Sequence, residues 1–288
     1  MSRLQLIRIA GLNIKTDPHS PDIYADMLKR AADARIAVNY RGNHYGSIGE
    51  ITNESEGELS VLLGSINTFI DFDKTKSWYN IKSARPAEKD EVTTIKLPEH
   101  LRPEHSQIPF IFFPKYHRMF FQTILAPYSM MRLVHSVLNN PSVKPGAAEV
   151  EVYVEQDQEQ LERIFKMTEL RKLEIVITRP NPDDIGDFES EIKERLAEQS
   201  ARRMKTTLEA ERGEGLKPDE TTRKLAKVAL SDGFVTGRGV DESGRVVTAS
   251  TSSQPLVITL SFNPEMTPFT KALIDAGRRA LAKIKSIT

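Results

Sequence analysis

Charged and apolar residues alternate from Glu149 to Glu155, the period-two pattern of a strand with one buried face. From Gln156 to Thr168 the spacing becomes helical, with Leu161, Ile164, Phe165 and Met167 on or near one stripe. Leu170 to Thr178 is strand-like again, and Pro180 and Pro182 stop it, because proline cannot donate to a ladder. Asp183 and Asp184 suit a helix N-terminus, and a long polar helix is expected from Ile185 to Glu211. The pattern predicts a central β-α-β-α unit. Its strands at 149–155 and 170–178 are expected in one sheet, with the 157–168 helix on one face; as adjacent parallel strands they would be joined by a right-handed crossover.

The N-terminal half is richer in strands. Leu4, Leu6, Ile7, Ile9, Leu12 and Ile14 mark a mostly apolar first strand, expected near the centre of a sheet. Ser20 as N-cap and Pro21 at the first helical position open a helix to about Ala34. Strands follow at 36–40, 45–52 and 58–73. Lys74 to Pro103 is polar and broken by prolines around the single Trp78, too long for a routine loop. It reads as an irregular connection that is either functional or packed on a partner. Gln107–Phe113 and Tyr116–Ile124 predict a hairpin across Pro114-Lys115, followed by a helix from Ser129 to Leu138.

Beyond Gly213–Pro218, a helix starting at Asp219 or Thr221 is expected to run to Leu230 and to end at Asp232-Gly233. A second hairpin, 234–240 with 245–251, turns at Asp241-Glu242-Ser243-Gly244. A last strand, 256–262, precedes a C-terminal helix reaching about Lys285. The fold class is α+β, with mixed β-sheets and flanking helices. The chain divides into an N-terminal region, 1–148, and a second region, 149–288, or forms one intertwined domain.

Composition narrows the chemistry. The chain of 288 residues has no cysteine, which removes disulfides, thiolate nucleophiles and Cys-type zinc sites. No apolar run approaches the roughly 20 residues that span a bilayer, so a cytoplasmic protein without membrane contact is expected. The net charge of zero conceals an asymmetry: +3 for residues 1–148, −8 for 149–220 and +5 for 221–288. An acidic middle between basic ends suits internal contact, a solvated acidic helix, or a basic surface kept for a polyanion.

No catalytic signature emerges, and catalytic residues stay unassigned. His100 and His105 flank Pro103 at a spacing that matches no regular two-histidine zinc motif. Asp71 and Asp73 share a strand face, a placement usable by paired carboxylates but equally that of a solvated turn. Pro182-Asp183 with Glu191-Ile192-Lys193 imitates a nuclease pattern. The helical spacing there turns the acid and lysine apart, so it is a decoy. P-loop, nucleophile-elbow and dinucleotide motifs are missing, and Gly237-Arg238-Gly239 falls in a hairpin. No metal or cofactor is expected.

Basic clusters are the remaining chemistry. Lys115 and Arg118 lie on the first hairpin, Arg202, Arg203 and Lys205 on the expected long helix, Arg223, Lys224 and Lys227 on the next, and Arg278 and Arg279 on the last. Such clusters suit phosphate contact, though each alone is equally a solvated face, and none forms a groove-reading motif. Sharing one surface would strengthen the case.

Several stretches carry a resemblance. Ile177-Thr178-Arg179-Pro180-Asn181-Pro182-Asp183-Asp184, the run from Glu191 to Arg202, Gly215-Leu216-Lys217-Pro218-Asp219-Glu220 through Ala226, Leu97 to Pro103 and Pro114 to Phe121 resemble domain of unknown function 4747, a bacterial family. That family is associated with phage defence and mobile elements and brings no catalytic residues to carry over. Leu161–Arg179, with overall size and element order, is more distantly similar to RexA-type phage exclusion proteins. Those are similar in architecture to RdgC-type proteins, homodimers that bind duplex DNA without marked sequence preference. The resemblances imply a homodimeric phage-defence component that binds or senses double-stranded DNA, with a defence-system protein as a further partner. A metal-dependent nuclease or hydrolase using Asp71, Asp73, His100 or His105, and a purely partner-binding protein, stay open beside it.

Overall fold

The computed structural model describes residues 4–56, 59–98, 100–146, 149–179 and 187–285, and every count below refers to these. In chain order the elements are β1 (Gln5–Lys15), α1 (Pro21–Ala34), β2 (Val38–Arg41), β3 (His44–Glu56), β4 (Leu59–Ile70), β5 (Tyr79–Asn80), β6 (Arg85–Pro86), α2 (Lys89–Thr93), β7 (Ser106–Phe113), β8 (Arg118–Gln122), α3 (Pro127–Leu138) and β9 (Glu151–Val154). They continue with α4 (Gln158–Phe165), β10 (Glu169–Thr178), α5 (Asp187–Glu198), β11 (Arg203–Glu209), α6 (Glu220–Asp232), β12 (Gly233–Val240), β13 (Val246–Ser250), β14 (Val257–Phe262) and α7 (Phe269–Lys285). The α+β class is as expected. No helix among the described residues is long and apolar enough to cross a membrane.

Two sheets carry the fold. The larger, eight-stranded among the described residues, runs β14-β1-β8-β7-β4-β3-β2, with β9 also on β1; the smaller runs β11-β10-β12-β13. Both hairpins read from the sequence form, β7–β8 and β12–β13, as do the capped helix starts. Ser20 accepts from Ile23 N at 3.2 Å with Pro21 next, and Asp219 caps α6 by accepting from Thr222 N at 2.7 Å.

The apolar first strand is interior rather than central, second in the sheet order between β14 and β8, and both its faces are covered. Leu12 and Ile14, with Phe110, Phe112 and Phe121, pack under α1 and α3; Ile7 and Ile9, with Ile111, Phe113 and Phe120, pack under α7. Gly277 lets α7 sit close: a Cβ there would lie 2.9 Å from the Phe113 ring. A third core fills one face of the small sheet, where Leu173, Ile175, Ile177 and Val235 meet Leu161, Ile192, Leu196 and Ala226 from α4, α5 and α6.

The expected β-α-β unit does not form. β9 pairs antiparallel with β1, whereas β10 belongs to the other sheet, between β11 and β12. The cause is the length of β1. β14 covers it only from Gln5 to Ala10, leaving Leu12–Lys15 an open edge that the four residues of β9 fill. No right-handed crossover joins β9 to β10.

The expected long helix to Glu211 is also corrected. α5 ends at Glu198, Ser200 takes a left-handed conformation (φ 51°), and β11 follows. Arg203, Lys205, Thr207 and Glu209 are exposed there while Met204, Thr206 and Leu208 are half-buried, a period-two pattern. Pro180, Asn181, Pro182, Asp183 and Asp184 lie outside the described residues, so the nuclease-like pattern is seen only in part, with Glu191 and Lys193 on α5. Lys74–Pro103 is more ordered than an irregular connection, since it contains the β5–β6 hairpin and α2.

Candidate functional site

The α7-side face of the large sheet changes character along β1. Ile7 and Ile9 are apolar, but the next side chains on that face, Asn13 and Lys15, are polar and buried. α6 and the end of β10 dock against them. Lys15 Nζ lies 2.6 Å from Asp232 Oδ1 at the end of α6, and donates to Thr178 Oγ1 (3.2 Å) and the Arg179 carbonyl (2.9 Å) at the end of β10. Asn13 Nδ2 donates to the Ser231 carbonyl at 3.0 Å. Beside it, Arg118 Nε sits 2.5 Å from Glu155 Oε1, with side chains 3 % and 2 % exposed, and Ser231 Oγ donates to Glu155 Oε2 at 2.8 Å.

His117 completes the junction. It lies in a left-handed turn (φ 42°), with Nδ1 3.0 Å from Asn13 Oδ1 and its ring 5.4 Å from that of His19. Burial first, then the neighbouring charges of Arg118, His19 and Lys15, hold its pKa well below the usual histidine value. Burial likewise raises the Tyr153 phenol, whose ring lies 4.8 Å from Lys15 Nζ. The opposite charges and hydrogen bonds are matched across two sheets, which makes this a charged clamp between them.

The clamp decides the standing of one expected phosphate contact. Arg118 is 2 % exposed and paired with Glu155, so its guanidinium presents nothing to a polyanion. Arg202 is exposed but bonds Glu151 (3.0 Å) and Glu149 (3.1 Å), tying β9 to the approach to β11. Lys205 pairs with Glu174 at 2.7 Å. Arg203 and Lys205 project from β11 on the face away from the helices, opposite to the face that α6 covers. They therefore share no surface with Arg223, Lys224 and Lys227. Arg223 stacks 4.6 Å over Phe165, Lys224 pairs with Glu220 at 2.9 Å, and Lys227 is exposed.

Two other clusters do meet. α7 buries Ala272, Leu273, Ala276, Ala280 and Ile284, and its outer side carries Lys271, Arg279 and Lys285, while Arg278 is half-buried with its Nε out of solvent. Its C-terminal end reaches the turn between β7 and β8. There Lys285 Nζ lies 3.8 Å from the centre of the Tyr116 ring, and Lys115 Nζ lies 5.8 Å from the same ring. A cation from the far end of the chain thus meets a half-buried tyrosine whose chain neighbour, Lys115, is a second cation. Lys283 turns aside to Asp157 at 3.4 Å, beside a cleft also lined by Glu159, Glu162, Arg163 and Lys166.

The residues weighed for a metal serve separate local roles. Asp71 pairs with Arg102 at 3.0 Å, Asp73 accepts from Thr75 N and Oγ1, His105 meets Asn67 at 3.0 Å, and His100 is exposed. Among the described residues no three His, Asp or Glu side chains converge as a metal would need.

Sequence reasoning missed the clamp. Its signal was Asn13 and Lys15 at alternate positions inside an apolar strand, a polar stripe on a face otherwise buried. Comparison with protein families gives a match over residues 5–277 to Domain of unknown function (DUF4747). No curated protein matches the chain.

Proposed function

The chain belongs to the DUF4747 family, and we propose that it is a non-sequence-specific binder or sensor of duplex DNA in phage defence. The observation that carries the DNA contact is Lys285 meeting Tyr116 beside Lys115, continued along α7 by the exposed Arg279 and the half-buried Arg278. Cations beside a ring and its hydroxyl suit a phosphate backbone, and no groove-reading element accompanies them. Lysines in the last turn of a helix also answer its dipole; Lys115 adjoins Tyr116 in the chain, and it is α7 that brings Lys285 to the same ring. The defence role rests on the sequence resemblance. A homodimer would present the same surface twice. The test is equilibrium binding of two unrelated duplexes of equal length at low salt. Equal affinities are expected; failure of the folded protein to bind either one removes the proposal.

A further inference from the structure

The most exposed apolar side chain among the described residues of the 74–103 excursion stands at the tip of its hairpin. Ile81 is 85 % exposed and Tyr79, two residues before it, 66 %. Neither points outward for want of order nearby. Asn80 Oδ1 accepts from Lys82 N (2.9 Å) and Ser83 N (3.2 Å), fixing the turn, and Asn80 Nδ2 donates to Glu91 on α2 at 2.6 Å. Glu91 also accepts from Glu88 N at 2.9 Å. At the base, Ala87 N donates to the Trp78 carbonyl at 2.7 Å, and Trp78 packs edge-on against Phe72 and donates to the Asp73 carbonyl. Ala84 closes the turn at a positive φ of 53°, a conformation an L-residue adopts at a cost. A braced turn holds an isoleucine into water.

The charge around the tip selects the occupant. Residues 74–87 contain Lys74, Lys76, Lys82 and Arg85 and no acid. Lys74 donates to the Ile95 carbonyl and Lys76 meets Asp73, so Lys82 and Arg85 are the exposed cations of the tip, with Glu88, Asp90 and Glu91 behind it at α2. An apolar protein partner would explain Ile81 and Tyr79 but not the exposed Lys82 and Arg85 beside them; a polyanion with an apolar interior explains both. We propose that this hairpin is a wedge for duplex DNA. Ile81 enters between two base pairs from the minor groove, Tyr79 packs on the adjoining sugars, and Lys82 and Arg85 meet the flanking phosphates. Apolar wedges of this kind unstack one step and kink the duplex by about 20–90°.

The wedge rests on the DNA-binding reading and deepens it with a second contact. Because β4 and β7 are antiparallel, with Leu62 opposite Phe112 and Thr68 opposite Ser106, the excursion leaves the end of the sheet away from Lys115. The eight residues of β7 put the root of the excursion roughly 26 Å from Lys115. A duplex spanning both needs at least about eight base pairs at 3.4 Å each.

The test uses the full chain and a 30-base-pair duplex carrying a donor and an acceptor dye at its ends. Binding of the wild type is expected to raise energy transfer as the ends approach. Ile81→Ala, at an exposed position that leaves the fold intact by circular dichroism, is expected to bind but not to raise it. The pair Lys82→Ala and Arg85→Ala is expected to weaken binding and to lower the salt slope by about 1.8. Binding without a change in transfer, or an equal change with Ile81→Ala, overturns the wedge and leaves the DNA-binding proposal standing. No binding of the duplex overturns both and leaves the hairpin to a protein partner.

Discussion

Arg118 on β8 and Glu155 just after β9 form a 2.5 Å ion pair within the large sheet, with side chains only 3 % and 2 % exposed where α6 docks. Removing one member of a buried pair strands the other charge, at a cost of about 3–5 kcal/mol. Glu155→Ala is therefore expected to lower unfolding stability by that amount in urea titrations. Arg118→Met combined with Glu155→Leu should recover most of the loss, since both charges go together. The Ser231 hydroxyl, which donates to Glu155, loses its partner in the double variant, so recovery should stop short of wild type.

His117 gives the clamp a pH dependence. The folded protein holds this imidazole neutral, while the unfolded chain takes up a proton below the ordinary value of 6.5. A depressed folded pKa contributes stability that is present above pH 6.5 and lost as the pH falls toward the folded value. The slope for one proton is about 1.4 kcal/mol per pH unit. Urea midpoints between pH 7 and pH 5 should fall more steeply for the wild type than for His117→Asn. Asparagine tolerates the left-handed conformation at this position, so the comparison reads the slope rather than the level.

Most elements of this fold are legible locally, and the failures share a cause. The Ser20 and Asp219 caps and the two hairpins depend on short-range chemistry, so spacing and turn residues found them. The β9–β10 pairing could not be found that way. Alternation showed that each is a strand, but β9 went to β1 because β14 leaves the Leu12–Lys15 edge open, a fact of distant register. β11 was hidden because charged residues at Arg202, Arg203 and Lys205 fit an exposed helix as well as an edge strand. The candidate site divides likewise. Lys115 was visible as a cation on a hairpin, but only folding shows Lys285 across the same tyrosine and Arg118 inside the clamp.

Gly233 links the end of α6 to β12 immediately after the clamp residue Asp232. A Cβ there would lie 1.9 Å from the Val176 carbonyl oxygen in the neighbouring strand, where neither backbone has room to yield. Gly233→Ala should cost at least the 1–3 kcal/mol of an overpacked core, about as much as a buried methylene forced into place. Thermal unfolding of the purified variant checks this. A melting temperature equal to that of the wild type contradicts the close β10–β12 approach.

The salt response of duplex binding reports on the phosphate contacts at Tyr116. Each neutralised phosphate releases counterions and adds about 0.9 to the slope of log affinity against log salt. For the wild type, a linear fall with the same slope on two unrelated duplexes is predicted. Lys115→Glu combined with Lys285→Glu should weaken binding to both and flatten the slope by about 1.8, with the fold unchanged by circular dichroism. An unaltered slope in that variant, or no binding by folded wild type at low salt, would contradict a phosphate-binding surface at Tyr116.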